Sequence, residues 1–290
     1  MTRRPMVFVV GLGRSGTTLL RMMLDSHPQI AIPYEQGWMP RAIRAEGRGK
    51  PRTAFLRAVT EHQGFADAGL DPDAFRKEIY SLKDFTVADG VRCFYRMYAQ
   101  LHGKSRYGDK TPPYHRRIPM IANLLPEARF VHIIRDGRDV ALSRMNKWFE
   151  PETSIEGLAS KWVKSVGIAR RDGLSVAGRY MEVRYEDLIR APERELGRIC
   201  SLIEAPFDNA MLTYHERAAS RLEEIKDRPA DARLREDLPA ERRRAVLWQT
   251  TKPPDESNLE RWRVELDARQ NQDFVQIAGP LLRVLGYPTS

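Results

Sequence analysis

The stretch that most limits what this chain can fold into is Met6-Val7-Phe8-Val9-Val10 and the residues directly after it. Five consecutive apolar residues predict a buried parallel strand. Gly11, Gly13 and Gly16 then permit a tight turn in which backbone N–H groups converge. From Thr17 onward, Leu19, Leu20, Met23 and Leu24 give helix-forming apolar positions. Strand, glycine loop and helix N-terminus together make an anion cradle, with loop amides pointing inward and the helix dipole adding partial positive charge. The spacing Gly11-x4-Gly16-Thr17-Thr18 is close to the triphosphate loop G-x4-G-K-[ST], but Thr17 stands where the lysine belongs. The positive charge has moved into the loop, to Arg14. That substitution disfavours a Mg²⁺–triphosphate and favours a less highly charged anion at the same place.

Further along, two more strands end in polar turns that open helices. Arg129 to Ile134 is followed by Arg135-Asp136-Gly137-Arg138-Asp139 and a helix carrying Ser143 and reaching Trp148. Tyr180 to Tyr185 exits through Glu186-Asp187-Leu188, and Pro192 opens the next helix, to Glu204. Ligands of open α/β sheets sit at the carboxyl ends of the strands, so Arg135 and the Gly11–Thr18 loop are expected to face one crevice. A short strand at 30–33 delivers Glu35 to the same level. The alternation predicts one α/β domain over 1–290: a three-layer α/β/α, P-loop-like parallel sheet with a helical cap. The cap is segment 34–110, and it is expected to carry specificity. Within it, Asp71-Pro72-Asp73 starts a helix, and Val91 to Leu101 forms another whose Phe94, Tyr95 and Tyr98 face the core. Helices are expected at 118–125, 155–172, 259–266 and 274–285, and the charged stretch 216–244 reads as mostly solvated. Trp248 to Asn258 is a proline-bounded loop too rich in hydrogen-bonding groups for a plain linker.

Composition removes several function classes. With 290 residues, 42% hydrophobic and 30% charged, the chain can bury a large core. No apolar run approaches the roughly 18 residues of a membrane span, and no signal peptide is predicted. The expectation is a cytoplasmic protein. Two cysteines, Cys93 and Cys200, argue against a disulfide framework or a cysteine zinc site. A formal charge of +9 favours an anionic partner. The basic residues are spread out with no dense run, which does not suit nucleic acid.

With Gly13-Arg14-Ser15-Gly16-Thr17-Thr18, Arg135-Asp136-Gly137-Arg138-Asp139…Ser143 and Tyr185-Glu186-Asp187-Leu188 all in order, the chain resembles the sulfotransferases. That family uses 3′-phosphoadenosine-5′-phosphosulfate (PAPS) and releases adenosine 3′,5′-bisphosphate. Leu24-Asp25-Ser26-His27-Pro28, Asp109-Lys110-Thr111-Pro112, Lys252-Pro253 ahead of Arg261-Trp262, and Leu285-Gly286-Tyr287 place the resemblance nearest the tyrosylprotein branch and its bacterial relatives. The resemblance implies that Gly13, Arg14, Ser15, Gly16, Thr17 and Thr18 form the loop holding the 5′-phosphosulfate. It implies that Arg135 and Ser143 hold the 3′-phosphate, that Tyr185 touches the adenosine, and that the 248–261 loop closes over the cofactor with Lys252 and Arg261. Glu35 matches that branch's general base, although Tyr34-Glu35-Gln36 stands where the branch has a pair of acids.

Sulfuryl transfer asks the protein mainly for positioning and charge stabilisation, by analogy with phosphoryl transfer. Arg14, the loop amides and Lys110 are the candidate charge stabilisers, with Lys161 as a substitute for Lys110 and no metal required. Glu35 leads as base, ahead of His115 and His132; His132 and His27 read better as structural, and Asp109 as orienting Lys110 or its turn. The acceptor is left open among phenols including tyrosine, carbohydrates, peptides and small alcohols. A homodimer is compatible with the sequence and not specified by it. Two other readings stay open: a P-loop kinase or nucleoside triphosphatase using Arg14, and a non-catalytic module that binds adenosine bisphosphate.

Overall fold

Parallel strands form the frame. The structure, a computed structural model, describes residues 3–230 and 237–289 apart from 46, 48 and 146. Its sheet contains β1 (Met6–Val10), β2 (Ile30–Ala31), β3 (Arg106–Lys110), β4 (Ala128–Ile134) and β5 (Tyr180–Arg184). The order is β2-β3-β1-β4-β5 and every pairing is parallel. β1 is central, and its Val9 stands opposite Lys110 on one side and Val131 on the other.

The two faces of β1 build two cores, because side chains alternate along a strand. Met6, Phe8 and Val10 join Trp38, Phe55, Phe94, Tyr95 and Phe130 on one face. Val7 and Val9 join Leu20, Met23, Val131, Ile133 and Leu196 on the other. A third cluster packs Leu12 and Ile134 against Trp162 and Phe274, on the helices Ile155–Leu174 and Ala268–Val284. The three-layer α/β/α expectation holds, and Phe94, Tyr95, Tyr98 and Cys93 are buried as the helical pattern of Val87–Leu101 implies.

Several boundaries differ. Arg106-Tyr107-Gly108-Asp109-Lys110 has no apolar alternation, so β3 carries no strand signal of its own. It is nevertheless interior: Asp109 and Lys110 are both buried, each beside a polar partner. Gly108 is required there, since a Cβ would lie 2.4 Å from Val7 Cγ1 and 2.7 Å from Val7 O. The insertion 34–110 therefore ends with a strand of the main sheet, and its helices cover one sheet face as a layer. Tyr185–Arg190 is a helix instead of a plain strand exit, Gly137–Arg144 stops short of Trp148, and only Trp262–Glu265 of 259–266 is helical.

The charged stretch 216–244 is mostly exposed, as its composition implies, but several of its charges turn inward; its residues 231–236 lie outside the described residues. Opposite charges wait for it inside the fold. Glu224 accepts from Arg21 Nη2 at 2.8 Å and from the Tyr98 hydroxyl at 2.8 Å. Arg221 pairs with Asp25 at 2.7 Å, while Arg243 and Arg228 meet the buried Asp67 at 2.7 and 3.0 Å. Arg21 and Asp25 both lie on the helix α1 (Thr17–Ser26), so this stretch is fastened to the helix that follows the glycine loop.

Removing one member of such a buried pair leaves the other charge uncompensated. Asp25→Ala is expected to lower unfolding free energy by ~3–5 kcal/mol in urea titration. Burial alone would raise the Asp25 carboxyl, but Arg221 and Arg21 outweigh it and hold it below its ordinary 3.8. Its contribution is therefore complete at neutral pH and is lost as pH falls below 3.8. The difference between wild type and variant should shrink in that direction.

Candidate active site

All five strands point their carboxyl ends the same way, and each delivers one part of the site. After β1 the chain turns through Gly11–Gly16 into α1. Gly16 has φ +95°, and a Cβ there would lie 2.4 Å from Tyr185 Cδ2, so the aromatic ring closes directly on the loop. The Ser15 N–H donates to Leu12 O at 3.1 Å, and the Gly13 carbonyl accepts from Arg144 Nη1 at 3.0 Å. Arg14 adopts φ +81°, a conformation that costs a non-glycine residue about 1 kcal/mol or more. Its side chain compensates, with Nε donating to Ser143 Oγ and Nη1 to Val246 O, both at 3.0 Å. The N–H groups of Thr17, Thr18 and Leu19 have no acceptor within the helix, as in any first turn. These three residues line a cavity with Arg14, Gly16, Arg135 and Tyr185.

Arg135 leaves the end of β4. Its guanidinium lies 4.6 Å from the Tyr185 ring centroid and donates from Nη2 to Asn258 O at 2.7 Å and Asp139 Oδ2 at 3.3 Å. Its Nε is buried with no partner in the chain. Burial pulls the Arg14 guanidinium below its ordinary value, and nearby Arg135 and Arg144 lower it further. Two arginines are thus crowded at one cavity. An anion would relieve both the repulsion and the orphaned donor.

The far wall of the cavity is the 249–258 loop, including Gln249, Thr250, Lys252 and Ser257. Asp139 holds its end: the carboxylate accepts from the N–H groups of Glu260 and Trp262, both at 3.0 Å. The rest of the Arg-Asp-Gly-Arg-Asp run is scaffold. Asp136 caps its helix and pairs with Arg138 at 2.7 Å, and Arg138 lies 3.3 Å from the Trp262 ring centroid. Glu186 is also scaffold, accepting from the Asp136 N–H at 2.9 Å and the Tyr287 hydroxyl at 2.9 Å.

On the other side of the loop stand Lys110, last residue of β3, and Glu35, four residues past β2. Lys110 Nζ lies 2.8 Å from Glu35 Oε1, 3.4 Å from Thr18 Oγ1 and 4.5 Å from the Tyr34 ring centroid. Lys110 is fully buried, whereas the Glu35 side chain is 34% exposed, so one side of the carboxylate is open. Burial lowers the Lys110 ammonium from its ordinary value, and Glu35 pulls it back up.

Of the residues singled out from sequence, Arg14, Gly16, Thr17, Thr18, Arg135, Tyr185 and Lys252 line one cavity, and Glu35 and Lys110 meet it at Thr18. Gly13, Ser15 and Ser143 are not in its lining; Gly13 and Ser15 shape the loop and Ser143 orients Arg14. Arg261 is also outside the lining. Glu265, one helical turn on, offers a nearer carboxylate at 2.5 Å on an exposed face. Lys161 is tied to Glu150 at 2.6 Å, which also holds Arg144. His132 is buried with Nδ1 2.7 Å from the Tyr180 hydroxyl, and burial drops its pKa to about 3. His115 is occupied by Pro112 O and Arg116, and His27 by Pro206 O and the Gln29 N–H. Sequence reasoning does not reach Glu150, nor the hold of Asp139 on the 260–262 turn. For Asp139 the spacing Arg135-x3-Asp139 at a helix start was the available signal.

The model of the sulfotransferase family matches residues 5–209, and the chain belongs to that family, whose donor is PAPS. The protein-tyrosine sulfotransferase of Drosophila melanogaster is 25% identical over 98% of this chain, which spans 52% of that protein. The nodulation protein NoeE of Sinorhizobium fredii is 28% identical over 98% of this chain and 66% of its own. The chain thus spans from about half to two thirds of these relatives. The sulfotransferase domain of the curacin biosynthetic pathway has the same fold, with TM-score 0.63, 18% identity and coverage of 99% of both chains.

Asp139→Ala removes one acceptor from Arg135 and both backbone acceptors from the 260–262 turn. The expected result is a destabilisation of about 3 kcal/mol, since each buried group left unsatisfied costs ~1–3 kcal/mol. Amide exchange should accelerate at Glu260 and Trp262 and stay slow in β1.

Proposed function

We propose that this chain transfers the sulfuryl group of PAPS to an acceptor hydroxyl, with Glu35 as general base, releasing adenosine 3′,5′-bisphosphate. The observation that carries the reading is the placing of two arginines from separate strand ends, Arg14 and Arg135, on one cavity flanked by the Lys110–Glu35 pair. The donor set suits a nucleotide with two separated anionic groups: loop amides, threonine hydroxyls and Arg14 at one end, and Arg135 with its orphaned Nε at the other. In this reading Gly13 to Thr18 hold the 5′-phosphosulfate, Arg135 the 3′-phosphate and Tyr185 the adenine side, while Lys252 closes the cleft. Ser143 serves by orienting Arg14. When bound, PAPS supplies an SO₃ group on a phosphate leaving group. Glu35 takes the acceptor's proton through the side of its carboxylate that faces solvent, and Lys110 contributes a buried positive charge beside Thr18. Phenols, including the tyrosine named for the Drosophila relative, head the list of acceptors, followed by carbohydrates and small alcohols.

The test has three arms. Adenosine 3′,5′-bisphosphate should raise the melting temperature far more than equal concentrations of ATP or ADP, because a ligand that favours the native state stabilises it. Arg135→Ala should weaken that nucleotide ~10–100-fold, the worth of a lost charge-assisted contact. Glu35→Gln should keep the thermal response while turnover falls about 100-fold or more. Equal stabilisation by ATP, or near-normal turnover in Glu35→Gln, would contradict the reading.

A further inference from the structure

Glu35 is half-buried between Tyr34 and Gln36, both of which are pinned in the interior. Its neighbour Gln36 is fully buried, with its side-chain Nε2 donating to Tyr34 O at 2.7 Å and its Oε1 accepting from Trp38 Nε1 at 3.1 Å. The Gln36 backbone N–H donates to Thr111 Oγ1 at 3.1 Å, across 75 residues of chain. The Thr111 hydroxyl donates in turn to Asp109 Oδ2 at 3.1 Å, and the Tyr95 hydroxyl donates to the same oxygen at 2.7 Å. Tyr95, Asp109, Thr111 and Gln36 are all buried. Lys110 sits between Asp109 and Thr111 in sequence, so the groups that bracket the lysine also fix the backbone next to the acid.

We infer that Asp109 and Thr111 are positioning residues: the relay Tyr95–Asp109–Thr111 aims the Glu35 carboxylate beside Lys110, and so sets the rate of proton removal. This rests on the reading of Glu35 as base. The relay acts through hydrogen bonds rather than through charge. Both of its bonds to Asp109 fall on Oδ2, and Oδ1 has no partner. An asparagine carbonyl oxygen at the Oδ2 position keeps both bonds, and a serine at 111 keeps the hydroxyl. A valine at 111 keeps the shape and loses the hydroxyl, leaving the Gln36 N–H without an acceptor.

The experiment is steady-state kinetics with PAPS and a phenolic acceptor on the full chain, with adenosine bisphosphate stabilisation measured alongside. Thr111→Val should lower kcat about 100-fold, the cost of misplacing a reacting group by ~1 Å. The KM for PAPS and the thermal response to adenosine bisphosphate should stay within about two-fold, because uniform binding is untouched. Thr111→Ser and Asp109→Asn should retain kcat within about three-fold, as each keeps the relay's hydrogen bonds. Tyr95→Phe removes the other donor to Oδ2 and should give an intermediate loss, which reads the same oxygen independently if Thr111→Val is recovered poorly. The deciding comparison is Glu35→Gln with and without Thr111→Val. If the relay works through Glu35, the second substitution costs nothing further, whereas a merely structural role adds in full. Additive losses, or equal losses in Thr111→Val and Thr111→Ser, would overturn the inference. Near-normal turnover in Glu35→Gln alone would instead strike at the reading of the base, so the two failures are distinguishable.

Discussion

The structure depends on the parallel pairing of β1 with a neighbour on each side. Because β3 and β4 run the same way as β1, their carboxyl ends open on one edge of the sheet, and β2 and β5 extend that edge outward. The order across the sheet becomes an order of chemistry. Glu35 follows β2, Lys110 ends β3, the glycine loop follows β1, Arg135 follows β4 and Tyr185 follows β5. Acid, ammonium, anion cradle, guanidinium and aromatic ring thus stand in a row although they are scattered from residue 11 to residue 185. No single loop has to carry more than one or two of these groups, so each can be held rigidly by the strand before it.

Positive charge in that row is kept in place by carboxylates behind it. Asp139 backs Arg135 and Glu150 backs both Arg144 and Lys161, while Glu35 meets Lys110 directly. Each backing acid is buried except Glu35, which is open on one side. A cation held from behind keeps its remaining donors free at the front. The orphaned Nε of Arg135 is one such donor. An isolated buried arginine would be costly in the fold, and a fully satisfied one would have nothing left for a ligand.

Much of this was legible in the sequence. β1, its loop and α1 announce themselves because apolar run, glycines and helix pattern agree with one another. Arg135 was visible as the first residue past a strong strand. What stayed hidden had one physical cause: polar residues that are interior because they pair at long range. β3 lacks an apolar alternation, yet its Asp109 and Lys110 are paired with Tyr95 and Glu35 from distant segments. The 216–244 stretch reads as solvated, yet Arg221, Glu224 and Arg243 find Asp25, Arg21 and Asp67. Hydropathy records the charge of a residue and not the partner waiting for it. Arg261, by contrast, meets a local carboxylate four residues away, on an exposed face.

The ties between α1 and the 221–224 turn have a consequence for ligand traffic. One end of α1 forms the cradle floor, and its other half is bolted by Arg21 and Asp25 to Glu224 and Arg221. The segment leading from that turn reaches Val246, whose carbonyl grips Arg14, and then the 249–258 loop. Swinging the whole wall outward would strip several buried charges of their counterions at once, a cost of several kcal/mol. Among the described residues the ties of the 249–258 stretch are lighter: Lys252 O accepts from the Tyr214 hydroxyl, Asn258 O accepts from Arg135, and Glu256 meets Arg190 at 4.0 Å on an exposed face, with Asp139 anchoring the turn just beyond. If the cavity takes a nucleotide as proposed, entry and exit fall to this short flap, with the remainder of the wall acting as its fixed jamb.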